Sequence, residues 1–183
     1  MNRLAALAVV AFVLAPHSVL AQAQQPYAGF ETRPIKALSD QQIADLKAGR
    51  GMGLALAAEL NGYPGPVHVL ELAGALELSE PQRAKLQALF DAMQAQTVPL
   101  GEMLIAEEAA LDRQFAGKSV TEASLAATMQ AIGATQAALR VAHLKYHLAT
   151  AAALTPVQVK RYTELRGYAG DAPAVHRHGN HPR

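Results

Sequence analysis

The sequence predicts an all-α protein: a long antiparallel αα-hairpin with shorter helices packed on it. The chain is rich in Ala and Leu, only 5% aromatic and almost free of β-branched runs, a balance that favours helix over strand. Apolar residues recur at alternating three- and four-residue spacing along two long stretches. Between them lies only the turn Gly117-Lys118-Ser119-Val120. Two long helices joined so briefly must run antiparallel with their apolar seams facing each other.

Residues 1–23 read as a secretory signal. Arg3 precedes an apolar run from Leu4 to Ala15, then come Pro16 and the small-residue stretch ending Ala21-Gln22-Ala23, the order of n-, h- and c-regions. The run is shorter than the roughly 20 apolar residues of a spanning helix, which favours cleavage near Ala21 or Ala23 over retention as an anchor. Residues 24–37, with Pro26, Gly29 and Pro34, read as an extended arm. Ser39 or Asp40 starts a helix expected to reach about Leu60, although Gly49, Gly51 and Gly53 each weaken it by roughly 1 kcal/mol relative to Ala. Asn61 to Gly65 ends it, and Pro66 opens a short helix through Val69, Leu70, Leu72, Ala73 and Leu76.

The first long helix runs from Glu80 to about Ala116, with Leu86, Phe90, Met93, Leu100, Leu104, Leu111 and Phe115 as its seam. The phase holds across Pro99, so this proline is expected to bend the helix without ending it. Thr121 caps the second, whose matching seam is Leu125, Met129, Ile132, Leu139, His143 and Tyr146. A last short helix runs from Pro156 to Gly167, and residues 169–183 read as a disordered tail. The helical domain thus spans residues 38–168.

Two helix starts share a pattern. Leu78-Ser79-Glu80-Pro81-Gln82 and Leu154-Thr155-Pro156-Val157-Gln158 each place a hydroxyl residue as N-cap, a Gln three positions on and a Pro in the first turn. The hydroxyl accepts from the backbone N–H of the Gln, and the Gln side chain reaches back to the cap's own N–H. With these two motifs behind an export signal, the stretch from Leu38 to Tyr168 resembles the Spy/CpxP family of periplasmic LTxxQ proteins. Relatives of that family include zinc-resistance-associated proteins and CnrX-type heavy-metal sensors. The resemblance implies a cradle-shaped homodimer, and either chaperone-like binding of unfolded envelope proteins without ATP or metal sensing through a membrane-bound partner. Ser79 stands where the family pattern has Thr, a change without consequence for capping. The glycine-containing first helix and the turn from Asn61 to Gly65 have no counterpart in the chaperone pattern.

His143 and His147 lie four apart on one helix, so both imidazoles project to the same side, a common metal-ligand spacing. Counting back from the turn places them level with Met93 and Phe90 to within a turn. If the short helix folds back at the first pentapeptide, His68 and Glu71 join them. The resulting set of His143, His147 and His68, with Glu71 and Met93 as weaker members, suits a Zn, Ni, Co or Cu ion. The alternative is that His143 is a hydrogen-bonded core residue with Tyr146 as partner. The tail cluster His176, His178 and His181 is a separate weak metal binder or a solvated basic terminus.

Several function classes are excluded or disfavoured. Removing the signal takes away Arg3 and leaves equal numbers of basic and acidic residues, so no nucleic-acid partner is implied. The chain has no cysteine, hence no disulfide staples and no thiolate metal ligands. Glu107 and Glu108 put a carboxylate near the seam, but no nucleophile, paired acid or phosphate loop accompanies it. Its expected role is pairing across the hairpin or with a sister subunit, with Arg113, Arg140 and Lys145 as candidate partners, and the protein is expected not to be an enzyme. Met93, Met103 and Met129 read as core filler whose flexibility would also suit varied apolar clients.

Overall fold

The computed structural model describes residues 26–169, and the segments read as export signal and His-containing tail lie outside them. Among the described residues every regular element is helical. A 3₁₀ turn, Phe30–Thr32, is followed by α1 (Asp40–Lys47), α2 (Leu56–Glu59), α3 (Pro66–Glu71), α4 (Glu80–Ala116), α5 (Glu122–Ala153) and α6 (Pro156–Leu165). None of these helices is long and apolar enough to cross a membrane.

The long helices begin where the caps predict. Ser79, Thr121 and Thr155 each close a full capping box, as Ser39 does for α1. α4 continues through Pro99 without a break. α5 lies along α4, α1 and α3 pack against α4, and α2 and α3 also touch α5. Tyr146 of α5 donates its hydroxyl to the carbonyl of Ala92 at 3.0 Å and accepts from Gln96 Nε2 at 2.6 Å. This sets the antiparallel register within a turn of the one expected from sequence.

The two pentapeptides meet. Gln82 Nε2 donates to Gln158 Oε1 at 2.8 Å, and Gln158 Nε2 returns a bond to Gln82 Oε1 at 3.2 Å. Each amide also donates to a backbone carbonyl, Gln82 to Ala153 at 3.1 Å and Gln158 to Leu76 at 3.2 Å. The repeated Gln therefore caps its own helix and ties α4 to α6. Because the two side chains form one network, their losses should not add. In a double-mutant cycle of Gln82→Ala and Gln158→Ala, followed by urea unfolding, we expect a coupling of about 0.5–3 kcal/mol; strict additivity would show that the pair does not act as a unit.

Two apolar clusters fill the body. Ile35, Leu38, Leu46, Leu104, Ile132 and Leu139 form one at mid-hairpin, and Val69, Ala73, Leu76, Leu78, Leu86 and Tyr162 form the other near the open end. Burial of Ile35 shows that the arm is not simply extended: past its 3₁₀ turn it packs on the hairpin, and Lys36 pairs with Asp112 at 3.3 Å.

Three expectations are corrected. The first helix stops at Lys47 rather than near Leu60, because Gly49 turns to φ +63° and the N–H groups of Gly49 and Arg50 bond back to Leu46 and Asp45, a left-handed stop that glycine adopts at little cost. Met52 and Gly53 are also at positive φ, so residues 48–55 form a loop before α2. The hairpin seam fails toward its tip, where among the described residues Phe115 and Met129 are about half exposed, since two paired helices bury one stripe each. Glu107 accepts from Thr135 Oγ1 at 3.0 Å, and among the described residues no cation, including Arg113, Arg140 and Lys145, comes within ion-pair distance of it. Burial, together with the neighbouring Glu107, raises the pKa of Glu108.

Candidate functional site

The C-terminal half of α5 carries Leu139, His143, Tyr146, His147 and Thr150 on its buried face. Above it close the loop of residues 48–55, α2, and the turn that leads into α3. The packing at Gly65 is tight: a Cβ there would lie 3.0 Å from both Cε1 and Nε2 of His147, and the ring would have to give by a few tenths of an ångström. Gly51 covers His143 in the same way, more loosely, at 3.7 Å from Nδ1.

A cleft of about 560 Å³ opens between these elements. Met52, Ala55 and Leu56 line one side, Val67, His68 and Glu71 of α3 a second, and Phe90, Met93 and Gln94 of α4 a third, with His147 and Glu59 deeper. Four of the five residues nominated as metal ligands (His147, His68, Glu71 and Met93) thus reach one cleft. His143 does not line it; its ring is buried beneath Gly51, and its Nε2 has no hydrogen-bond partner. Tyr146, proposed as its partner, is engaged with α4 instead. His68 and Glu71 pair with each other at 3.1 Å. Among the described residues no three His, Cys, Asp or Glu side chains are gathered as a metal centre requires, so the five-residue ligand set is not preformed.

His147 is held in one orientation. Its Nδ1–H donates to the carbonyl of Tyr63 at 2.7 Å, with Glu59 Oε2 at 3.7 Å from the same nitrogen. In the neutral ring this leaves Nε2 as a lone-pair acceptor. His147 lines the cleft; its Nε2 lies beside Gly65, bonds to no described residue and, unlike His143 Nε2, is not fully sealed off.

Glu59 is the residue that sequence reading missed. It is only 7% exposed and draws together four partners. Tyr162 donates its hydroxyl to Oε1, the Gly65 N–H donates to Oε2 at 3.1 Å, His147 Nδ1 lies 3.7 Å away and Arg166 Nε 3.9 Å. Burial, followed by the bond to Glu59, pushes the Tyr162 hydroxyl far above its ordinary pKa, so Tyr162 stays a donor. The one available signal was a lone carboxylate in the otherwise apolar run from Leu54 to Leu60.

His143 makes stability depend on pH. Burial, and secondarily the neighbouring His147, lowers its pKa below the ordinary 6.5. Below that value the unfolded chain takes up a proton that the folded chain refuses, so stability is complete above pH 6.5 and falls with pH until the folded pKa is reached. The slope in that window approaches about 1.4 kcal/mol per pH unit for one proton. Urea midpoints measured between pH 8 and pH 5 should show the decline, and His143→Leu should flatten it; an equal decline in the variant would assign it to other groups.

Residues 68–166 match the profile of the LTXXQ motif family. No curated protein and no solved structure matches the chain significantly. The matched stretch begins at His68 in α3 and ends at Arg166, so it holds both capping pentapeptides and the whole hairpin.

Proposed function

The chain belongs to the LTXXQ motif family, and from that membership we propose that it is an exported, periplasmic, non-enzymatic protein that holds unfolded envelope proteins by their apolar segments without ATP, as a homodimer of the Spy/CpxP type. The observation that carries this reading is the outer face of α5. Ala134, Ala137, Val141 and Leu148 are exposed along it, and after Glu122 its only Lys, Arg, Asp or Glu residues are Arg140 and Lys145. Lys145 stands on the same face between Val141 and Leu148, so the apolar surface comes in two patches; exposed apolar patches mark interaction sites. Modest burial against them slows aggregation of a client while leaving the complex reversible. Equimolar or substoichiometric protein should delay aggregation of a reduced, unfolded client, and Val141→Glu with Leu148→Glu should abolish the delay. A client that aggregates equally fast with and without the protein removes the reading. A mass measurement of the assembly tests the dimer.

A second reading, a periplasmic metal sensor or resistance accessory acting on a membrane-bound partner, draws support from His147. A ring anchored through Nδ1 to a carbonyl, with Nε2 free, is the usual bearing of a metal-ligating histidine. His68 and Glu71 line the same cleft, so a Zn, Ni, Co or Cu ion would need α3 or the 48–55 loop to shift before three donors met. Isothermal titration with these ions should then show binding that His147→Ala and His68→Ala each weaken; unchanged isotherms in both variants exclude it.

A further inference from the structure

We propose that the cleft over His147 is a receptor for a single tryptophan or tyrosine side chain of an extended polypeptide, its ring packed between Met52, Leu56, Phe90 and Met93 and its N–H or O–H donated to His147 Nε2. The inference rests on the client-holding reading and specifies where that client is gripped and by which side chain.

Size and lining come first. At about 560 Å³ the cleft falls within the range of small-ligand sites, which are mostly apolar with a few fixed polar groups. Met52 and Leu56 stand exposed on its rim, Phe90 is half-buried and Met93 buried. An aromatic ring flanked by thioethers packs well against another ring, because sulfur favours aromatic edges and methionine adapts its shape. Met52 holds its place at φ +43°, a conformation that non-glycine residues rarely adopt. The loop thus accepts a strained backbone at a residue that lines the cleft.

The polar groups then select the ligand. Tyr63 fixes His147 with its Nε2 as acceptor, so a group that reaches this ring from the cleft is matched if it donates. Leucine or phenylalanine would fill the walls but strip water from Nε2 without replacing it, an unfavourable exchange. Anions are disfavoured, since Glu59 and Glu71 both line the cleft while Arg50, the one cation on its rim, already pairs with Asp45 at 2.6 Å. A neutral ring with a single N–H or O–H suits the apolar walls and the His147 acceptor together.

The chain contains no tryptophan, so indole fluorescence reports binding without background. N-acetyltryptophanamide titrated with the full-length protein, in the presence of a chelator, should show a saturable blue shift and rise in anisotropy. Its N1-methyl derivative, which cannot donate, should bind roughly tenfold more weakly. His147→Leu should erase that difference, and a capped Ser-Gly-Trp-Gly-Ser peptide should bind at least as tightly as the amide. Methyl shifts of Met52 and Met93 in the unaltered protein locate the probe independently of whether the variant folds. No saturable signal, equal affinity of the methylated probe, unmoved Met52 and Met93 methyls, or exclusion of the peptide in favour of the free amide would each overturn the proposal. Aggregation assays run in parallel separate the two readings: delay of aggregation without probe uptake overturns the cleft alone, and absence of both overturns the client-holding reading as well.

Discussion

Replacing Glu59 with Leu is expected to destabilise the protein by about 2–5 kcal/mol, since two buried donors lose their acceptor and each unsatisfied donor costs about 1–3 kcal/mol. Tyr162 is 1% exposed, and Gly65 is buried under His147, so water does not readily take the place of the carboxylate. The loss should spread beyond a single contact. Glu59 joins α2 to α6 through Tyr162 and to the turn before α3 through Gly65, so the variant frees elements that are far apart in sequence. Glu59→Gln, which keeps an acceptor for Tyr162, should cost clearly less. Urea unfolding of the three proteins decides the matter: equal midpoints for Glu59→Leu and the parent would show that the network contributes nothing net.

Gly101→Ala should destabilise by about 1–3 kcal/mol or more, although alanine is intrinsically better than glycine inside a helix by about 1 kcal/mol. The reason lies across the α1–α4 contact. A Cβ at Gly101 would collide with the carbonyl oxygen of Leu46 and lie 2.9 Å from its carbon and 3.2 Å from its Cα. These are backbone atoms at the end of α1, which cannot swing aside as a side chain can. Either α1 moves off α4 or the helix pair distorts, and loss of amide protection confined to α1 would identify the first. Gly133→Ala provides the contrast, because nothing lies within 4 Å of a Cβ there. On α5 the helix preference acts unopposed, and a gain of about 0.5–1 kcal/mol is expected. If both substitutions stabilise, the close approach of α1 to α4 is wrong.

The candidate site was partly legible before any coordinates. Helical spacing placed His143 and His147 on one side of α5, and folding α3 back at the first pentapeptide brought His68, Glu71 and Met93 to the same cleft. Level-matching along two helices of known rise succeeded because each helix is rigid and the turn between them is short. It failed for His143, which went beneath Gly51 rather than into the cleft, because where two residues one helical turn apart end up depends on what covers each. It also missed Glu59, which differs from a solvated surface carboxylate only in its long-range partners, Tyr162 and Arg166.

What the amino-acid order determined alone was mostly local: helix starts at Ser39, Ser79, Thr121 and Thr155 and the glycines that punctuate the chain, together with the pairing of α4 with α5 that the short turn between them forces. Caps and hydrogen bonds within a turn involve near neighbours, so short windows of sequence contain them. Tertiary structure alone decided that Phe115 and Met129 stay exposed, that the two motif glutamines bond to each other, and that a buried carboxylate joins α2 to α6. Each of these depends on which surfaces meet across long stretches of chain. Burial and the pairing of distant polar groups belong to that assembly and to no single segment.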